Sequence, residues 1–503
     1  MKILFYSCHA IWYEHLSILL DEAICRQKEG HEVYFVYNSC ALGICTGNLS
    51  QDSYVCAKCC TWMHSALRLL PKSIHTINIS EFWQNKKFTF QYESAQDIKR
   101  IEYRNVKVGY AVLSSYITKT RNLYPEINKE SRAYFDKIIN ATCNLTDALD
   151  RVIDSIQPDR MCFFNARFFE WRPPYDLAVS KGIEAVSYEK TPYVNGVRTV
   201  RFVNTTPHNV EGLQAKRDEL WANAQLTEEE KIAIGEDFFF RRRNGADAGD
   251  KIYISNQTKG KMPDDWDDKK KNIVIFNSSE DEFAAIGDEF DRLALFPTQY
   301  RGIKFILESL KDKQDYHVYL RIHPNLSKVP YRYHTELLNL PKQYSNVTVI
   351  PGGDSISTYD LMDAAEKVVV FGSTMGLEAA YWNKPVILLA GASYYNSDLC
   401  YVPHSEGELA ELLQRSLRPK KNANAVKWGF YMMYRNPDDR WKYVPPTAEV
   451  FRIGRIKWYV VHALKLFGSS KLYAILSHYQ LWYSRHHSTQ IDVPMKEDVT
   501  AEL

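Results

Sequence analysis

Lys2-Ile3-Leu4-Phe5-Tyr6-Ser7 opens an alternation that decides the fold. Leu16, Leu19, Leu20, Ala23 and Ile24 follow at helical spacing, then Gly30, then His31-Glu32-Val33-Tyr34-Phe35-Val36-Tyr37. Apolar residues recurring at three and four positions predict an amphipathic helix, and Gly30 is the residue helices favour just past their C-terminus. Strand, helix, strand is the unit of a parallel, doubly wound α/β sheet. The unit recurs at 161–190: a strand at 161–165, Pro173 and Pro174 in the first turn of a helix ending near Gly182, and a strand at 183–188. Further on, apolar runs at 272–276, 316–322, 347–350, 368–371 and 385–389 predict a second doubly wound domain.

Between the two sets, 244–270 is rich in Asn, Gly, Asp and Lys and reads as a linker. The expected layout is therefore a first domain over 1–243, the linker, and a second domain over 271–430. Residues 431–490 form a basic, aromatic helical region, and 491–503 a loose tail. The whole chain has 503 residues, which fits two to four domains at about 150 residues each. Sixty-three Lys and Arg against 61 Asp and Glu leave a formal charge of +2, which argues against nucleic acid as a partner. No run approaches the roughly 20 apolar residues of a membrane span, and the N-terminal apolar stretch is too short for a signal peptide. The expectation is a cytoplasmic protein.

The most informative motif is Val368-Val369-Val370-Phe371-Gly372-Ser373-Thr374-Met375-Gly376-Leu377-Glu378-Ala379-Ala380. A buried strand runs into a small, hydroxyl-bearing turn and then a helix, whose first N–H groups favour an anion. Ser373 and Thr374 add hydroxyl donors. Gly372 and Gly376 admit a close approach, and Glu378 is placed to accept ribose hydroxyls. Arg321-Ile322-His323-Pro324 ends a strand at the edge where doubly wound sheets bind ligands, so Arg321 or His323 can meet a diphosphate. Ser278 and Ser279, in Asn277-Ser278-Ser279-Glu280-Asp281-Glu282-Phe283, are natural helix caps and anion donors. In the first half, His9-Ala10-Ile11-Trp12-Tyr13-Glu14-His15 follows the first strand. Glu14 and His15 are the candidate general bases, and Trp12 can stack on a sugar face. Asn165, Arg167 and Glu189 end strands of the same half and are candidates for holding an acceptor. Each of these has a plainer reading as a cap, a surface charge or a satisfied core histidine.

These motifs, in this order, resemble the bacterial capsule- and lipopolysaccharide-type glycosyltransferases of GT-B fold, the capsule polysaccharide biosynthesis family. The likeness spans most of 1–400 and is most specific from Gly372 to Pro385. It implies two Rossmann-like domains facing a cleft, with the acceptor on the first and a nucleotide sugar (UDP-, GDP- or CMP-linked) on the second. It further implies a metal-independent transfer. Ala166 departs from the Gly more usual after the Asn. An Asp265-Trp266-Asp267 triplet has the spacing of a metal-binding Asp-x-Asp but sits in the linker.

Cys40, Cys45, Cys56 and Cys59 belong to a cluster of five within residues 40–60. Four thiolates can hold a structural Zn²⁺, and the alternative is reduced cysteines. Residues 451–490 carry six Lys or Arg and no Asp or Glu, interleaved with aromatics. Such a region suits an anionic membrane surface that presents a lipid-linked glycan, or helices that return to the first domain. Three functions compete: a glycosyltransferase acting on a surface polysaccharide, a GT-B sugar-nucleotide epimerase, and a non-catalytic subunit that binds nucleotide sugar. The density of polar residues at strand ends in both halves favours the first.

Overall fold

The computed structural model describes residues 1–38, 41–193, 196–435 and 441–447. One sheet contains β1 (Lys2–Ser7), β2 (Glu32–Tyr37), β3 (His75–Asn78), β4 (Arg160–Phe164), β5 (Glu184–Tyr193) and β6 (Gly196–Val203), in the order β3-β2-β1-β4-β5-β6. Only β6 is antiparallel to its neighbour. The second sheet contains β7 (Lys271–Phe276), β8 (Tyr316–Arg321), β9 (Val347–Ile350), β10 (Lys367–Val370) and β11 (Val386–Leu388). Its order is β11-β10-β7-β8-β9, parallel throughout.

Counted from its own first strand, each sheet runs 3-2-1-4-5 through its parallel strands. Strand order therefore reverses between β1 and β4 in one sheet and between β7 and β10 in the other. These are the crevices where doubly wound sheets hold ligands. Helices cover both faces, so β8 is buried along its length and β1 at every residue but Lys2. The 28-residue helix Lys129–Ile156 is opened by Asn128, whose side chain accepts from the Glu130 and Ser131 amides, and it buries Phe135, Ile138, Leu145 and Leu149.

Helices Val210–Asn223 and Glu228–Arg243 precede the second sheet in sequence, yet Trp221, Phe238 and Phe239 join that sheet's apolar cluster. Phe239 stacks on Tyr381 at 3.9 Å and 7°. Helix Glu228–Arg243 crosses Ala423–Met433 where Gly235 meets Gly429; a Cβ on either would strike backbone of the other helix. Past that crossing the chain returns to the first domain. The Asp21 carboxylate on helix Tyr13–Lys28 accepts from the amides of Lys442 (3.1 Å), Tyr443 (2.6 Å) and Val444 (2.8 Å), and Val444 is buried against that helix. The basic region 451–490 and the tail lie outside the described residues. Among the described residues, no helix is long and apolar enough to cross a membrane.

Cations of the first domain grip residues 279–291 of the second. Lys99 pairs with Asp291 (2.8 Å), Lys107 with Asp288, and Arg121 with Asp281 (2.6 Å). Two Rossmann-like units meeting across a cleft make the GT-B-like α/β fold the sequence implied.

Candidate functional site

A cavity of about 180 Å³ opens at the C-terminal ends of β7, β8 and β10, where the second sheet reverses. Gly372 forms its floor. With φ +89° and the Gly391 carbonyl oxygen 2.5 Å from where a Cβ would lie, only glycine fits. Ser373 caps helix Thr374–Tyr381, its hydroxyl accepting from the Met375 amide at 3.3 Å, so the free first-turn N–H groups of this helix lie at the cavity. Gly376 serves packing, because Val370 and the Tyr394 hydroxyl fill the space a side chain would need. The same hydroxyl donates to the Ser373 carbonyl.

Glu378 lines this cavity and is fully buried. Arg242 Nε donates to Oε1 at 2.9 Å, and the Tyr359 hydroxyl donates to Oε2. A ribose would therefore share a carboxylate that already holds two partners. Ser278 and Ser279 are buried with their hydroxyls engaged. Ser278 donates to the Phe371 carbonyl at 2.5 Å, tying the end of β7 to the end of β10. Ser279 donates to Asp281 and accepts from Arg121. Arg321 lines the cavity, but its guanidinium is turned to the carbonyls of Pro351 (3.3 Å) and Asp354 (2.9 Å). His323 accepts at Nδ1 from the Asn325 amide and meets the Tyr253 ring edge-on at 5.1 Å. Burial holds its imidazole down to about 4, so it is neutral and can present Nε2–H as a donor.

Three residues that sequence reasoning passed over complete this wall. Arg242 and Tyr359 come from helices elsewhere in the chain, and Lys251 from the stretch read as a linker. Arg242 also reaches Asp250 at 3.2 Å. Asp265-Trp266-Asp267 lies outside the cavity wall, with Trp266 against Tyr319 and Asp265 taking the Thr348 hydroxyl.

In the first domain, the ends of β1, β4 and β5 meet. Trp12 caps helix Tyr13–Lys28 and packs edge-on against His9, His15, Phe164 and Phe168. Burial, then Lys190 and His9, pushes His15 down to about 3, and its ring lies 3.8 Å from Phe164 with Nδ1 unpartnered. Glu14 is half-exposed and paired with Lys190. Asn165 and Ala166 stand at φ +55° and +62°, a left-handed pair that turns the chain sharply after β4. That is why a Gly at 166 would be the easier residue.

The Asn165 amide donates to Glu189, which also accepts from the Lys190 amide at 3.0 Å. His208 faces Asn165 at 3.4 Å. Burial raises Glu189 to about 7. Arg167 bonds the Ser114 hydroxyl at 2.5 Å and reaches across to the Ala284 carbonyl of the second domain at 3.3 Å. Beneath Trp12, His9 lies beside buried Glu170, a residue the sequence did not single out.

Cys40 lies outside the described residues. Cys56 Sγ accepts from the Asn48 side chain and Cys59 Sγ from the Ala10 amide, while burial raises the Cys45 thiol. Among the described residues, no group of three or more His, Cys, Asp or Glu is placed to hold a metal ion.

Comparison with known proteins gives four results. Residues 267–416 match the family model described as capsule polysaccharide biosynthesis protein. The solved KpsC β-Kdo 2,4 transferase of Thermosulfurimonas dismutans is similar at TM-score 0.36 and 12% identity, covering 53% of this chain and 78% of that one. The UDP-GlcNAc 2-epimerase of Neisseria meningitidis, solved bound to UDP-GlcNAc, is similar at TM-score 0.27 and 10% identity, covering 85% of this chain and 98% of that one. No curated protein matches. The family model thus matches the part of the chain that holds the motifs at 277–283, 321–324 and 372–385, from which the resemblance was read.

Proposed function

We propose that the chain is a glycosyltransferase that moves a sugar from a nucleotide-sugar donor to a hydroxyl of a growing, lipid-linked bacterial surface polysaccharide, of capsule or lipopolysaccharide type. The observation that carries this reading is the cavity at the strand reversal of the second sheet. Its floor is Gly372 and a capped helix N-terminus, and its walls carry Arg242, Lys251 and a neutral His323. N–H groups and cations placed together suit a departing nucleotide phosphate, whose charge grows in the transition state. Such a site needs neither a strong acid nor a bound metal for that step.

Across the cleft, Glu189 fits the general base better than Glu14 or His15. Its carboxyl titrates near neutrality, whereas His15 is packed and very weakly basic, and Glu14 is held by Lys190. Trp12, Asn165 and Arg167 would orient the acceptor beside it. The basic, aromatic 451–490 would bring the enzyme to the anionic inner surface of the cytoplasmic membrane, where a lipid-linked acceptor is presented.

A thermal-shift titration with UDP, GDP, CMP and their sugar conjugates tests the reading, because a ligand that binds only the folded state raises its melting temperature. One nucleotide class should raise it, and Lys251→Ala should weaken the response. If no nucleotide shifts the wild type, the donor site is not there. Product analysis then separates a glycoside plus free nucleotide from an epimerised nucleotide sugar.

A further inference from the structure

We propose that a tyrosine-lined groove between the domains binds several consecutive sugars of the acceptor oligosaccharide, upstream of the reacting end. This rests on the glycosyltransferase reading and specifies where its acceptor lies. The groove measures about 1060 Å³, beyond the roughly 300–1,000 Å³ that holds a drug-sized molecule. Tyr116, Tyr124 and Tyr134 contribute from the first domain, and Tyr331 and Tyr333 from the second. The Tyr331 and Tyr333 rings stack at 6.4 Å and 12°, and Tyr124 meets Tyr333 edge-on at 6.5 Å. Tyr124 is 53% exposed, an unusual position for an aromatic ring that no helix or strand carries.

The stacked Tyr331 and Tyr333 rings on one wall, with Tyr124 edge-on to Tyr333 from the other, offer flat, electron-rich surfaces to the C–H faces of sugar rings, and the phenol and amide groups beside them exchange hydrogen bonds with sugar hydroxyls. Formal charge along the groove nearly cancels, and Arg332 is already paired with Glu336 at 2.7 Å. A strongly anionic polymer is therefore not what it recognises.

The groove is linked to the wall of the candidate donor site through Arg121. The Tyr333 hydroxyl donates to the Arg121 carbonyl at 2.9 Å. The guanidinium of the same Arg121 donates to the Ser279 hydroxyl at 2.9 Å and to the Asn325 carbonyl at 2.7 Å. Ser279 lines the donor cavity. One residue thus separates the tyrosines from the nucleotide pocket, and a chain of sugars lying along the groove would lead its end toward the cleft.

The test is an array of bacterial capsular and O-antigen oligosaccharide fragments, graded from single sugars upward, probed with the full-length protein. Wild type should retain long fragments and not single sugars. Tyr124→Ala and Tyr331→Ala should each weaken retention up to about tenfold, as expected for the loss of one stacking contact. Tyr331→Phe should keep most of it. Melting-temperature shifts by UDP, GDP or CMP should be unchanged in all three, which also reports that they fold. No retention by wild type, or equal retention by the alanine variants, overturns the groove as a glycan site. Tyrosine-dependent retention with no nucleotide response would support the groove and remove the transferase reading instead.

Discussion

Replacing Glu170 with Gln should remove one of two opposing pH dependences in a buried pair. Glu170 is fully buried near the ends of β1 and β4. Its Oε1 accepts from the Thr46 amide at 2.7 Å and from the Thr46 hydroxyl, whereas Oε2 has no partner. His9 Nε2 lies 3.7 Å from Oε1, and neither ring nitrogen makes a hydrogen bond. Burial raises Glu170 from 4.5 to about 7 and lowers His9 from 6.5 to about 4. The pair is therefore neutral over most of the range between, not an ion pair.

The folded state binds the Glu170 proton more tightly than the unfolded chain does. Its contribution is fully present below 4.5 and is lost as pH rises through about 7. At about 1.4 kcal/mol per pH unit, that span corresponds to about 3 kcal/mol. His9 works oppositely: its contribution is present above 6.5 and is lost as pH falls through about 4. Because His9 is common to both proteins, the difference between wild type and Glu170→Gln isolates the carboxyl. Parallel urea denaturations should show the variant gaining on wild type by about 3 kcal/mol between roughly pH 5 and 8. A flat difference, or one moving in favour of wild type, would mean that His9 is protonated and holds Glu170 ionised. The neutral pair would then be wrong.

If Glu189 is the base, kcat/KM of the wild type should rise with pH and level off above about 7, since only the carboxylate accepts the proton. Glu189→Gln should abolish that limb and cost about 10²–10⁴-fold in rate. Arg242→Ala leaves the Glu378 carboxylate buried without its cation, so about 3–5 kcal/mol of stability should disappear in urea denaturation together with nucleotide binding. A near-normal stability would mean that the Arg242–Glu378 pair does not hold the fold together. Ala166→Gly should raise stability by up to about 1 kcal/mol, because φ +62° costs alanine what glycine does not suffer. A melting temperature below wild type would show that the Ala166 methyl packs usefully.

The elements that sequence revealed are those whose burial leaves no choice of residue. β1, β7, β8 and β10 are covered on both faces and read as largely apolar runs. β3 could not be seen that way: His75-Thr76-Ile77-Asn78 is an edge strand, exposed or half-buried throughout, with no pattern to betray it. The strand-end motifs at 277–279, 321–324 and 372–378 were legible because their residues are neighbours in sequence. Arg242 was not, since it stands 136 residues from Glu378 and reaches it only through the helix crossing at Gly235 and Gly429. Lys251 and Tyr253 hid in a Gly- and Asp-rich stretch whose composition says linker, although it forms one wall of the cavity.

The hydroxyls and cations that look most like ligand donors in the sequence have other work in the fold, and that work fixes the site's shape. Ser278 ties β7 to the Phe371 carbonyl beyond β10. The Asn277 side chain accepts from the His323 amide at 2.7 Å, joining β7 to the segment after β8. Tyr394 holds the Ser373 carbonyl from below. Three strand ends are thereby cross-linked by the chain's own hydrogen bonds, so the helix N-terminus and Gly372 are held in a fixed geometry. A preorganised donor set loses little on binding and stabilises developing charge without rearrangement. In the proposed transfer, what remains to be assembled is therefore the acceptor side. Arg167 and Arg121, each anchored in one domain and bonded to the other, are among the contacts that any movement of the two domains must break or keep.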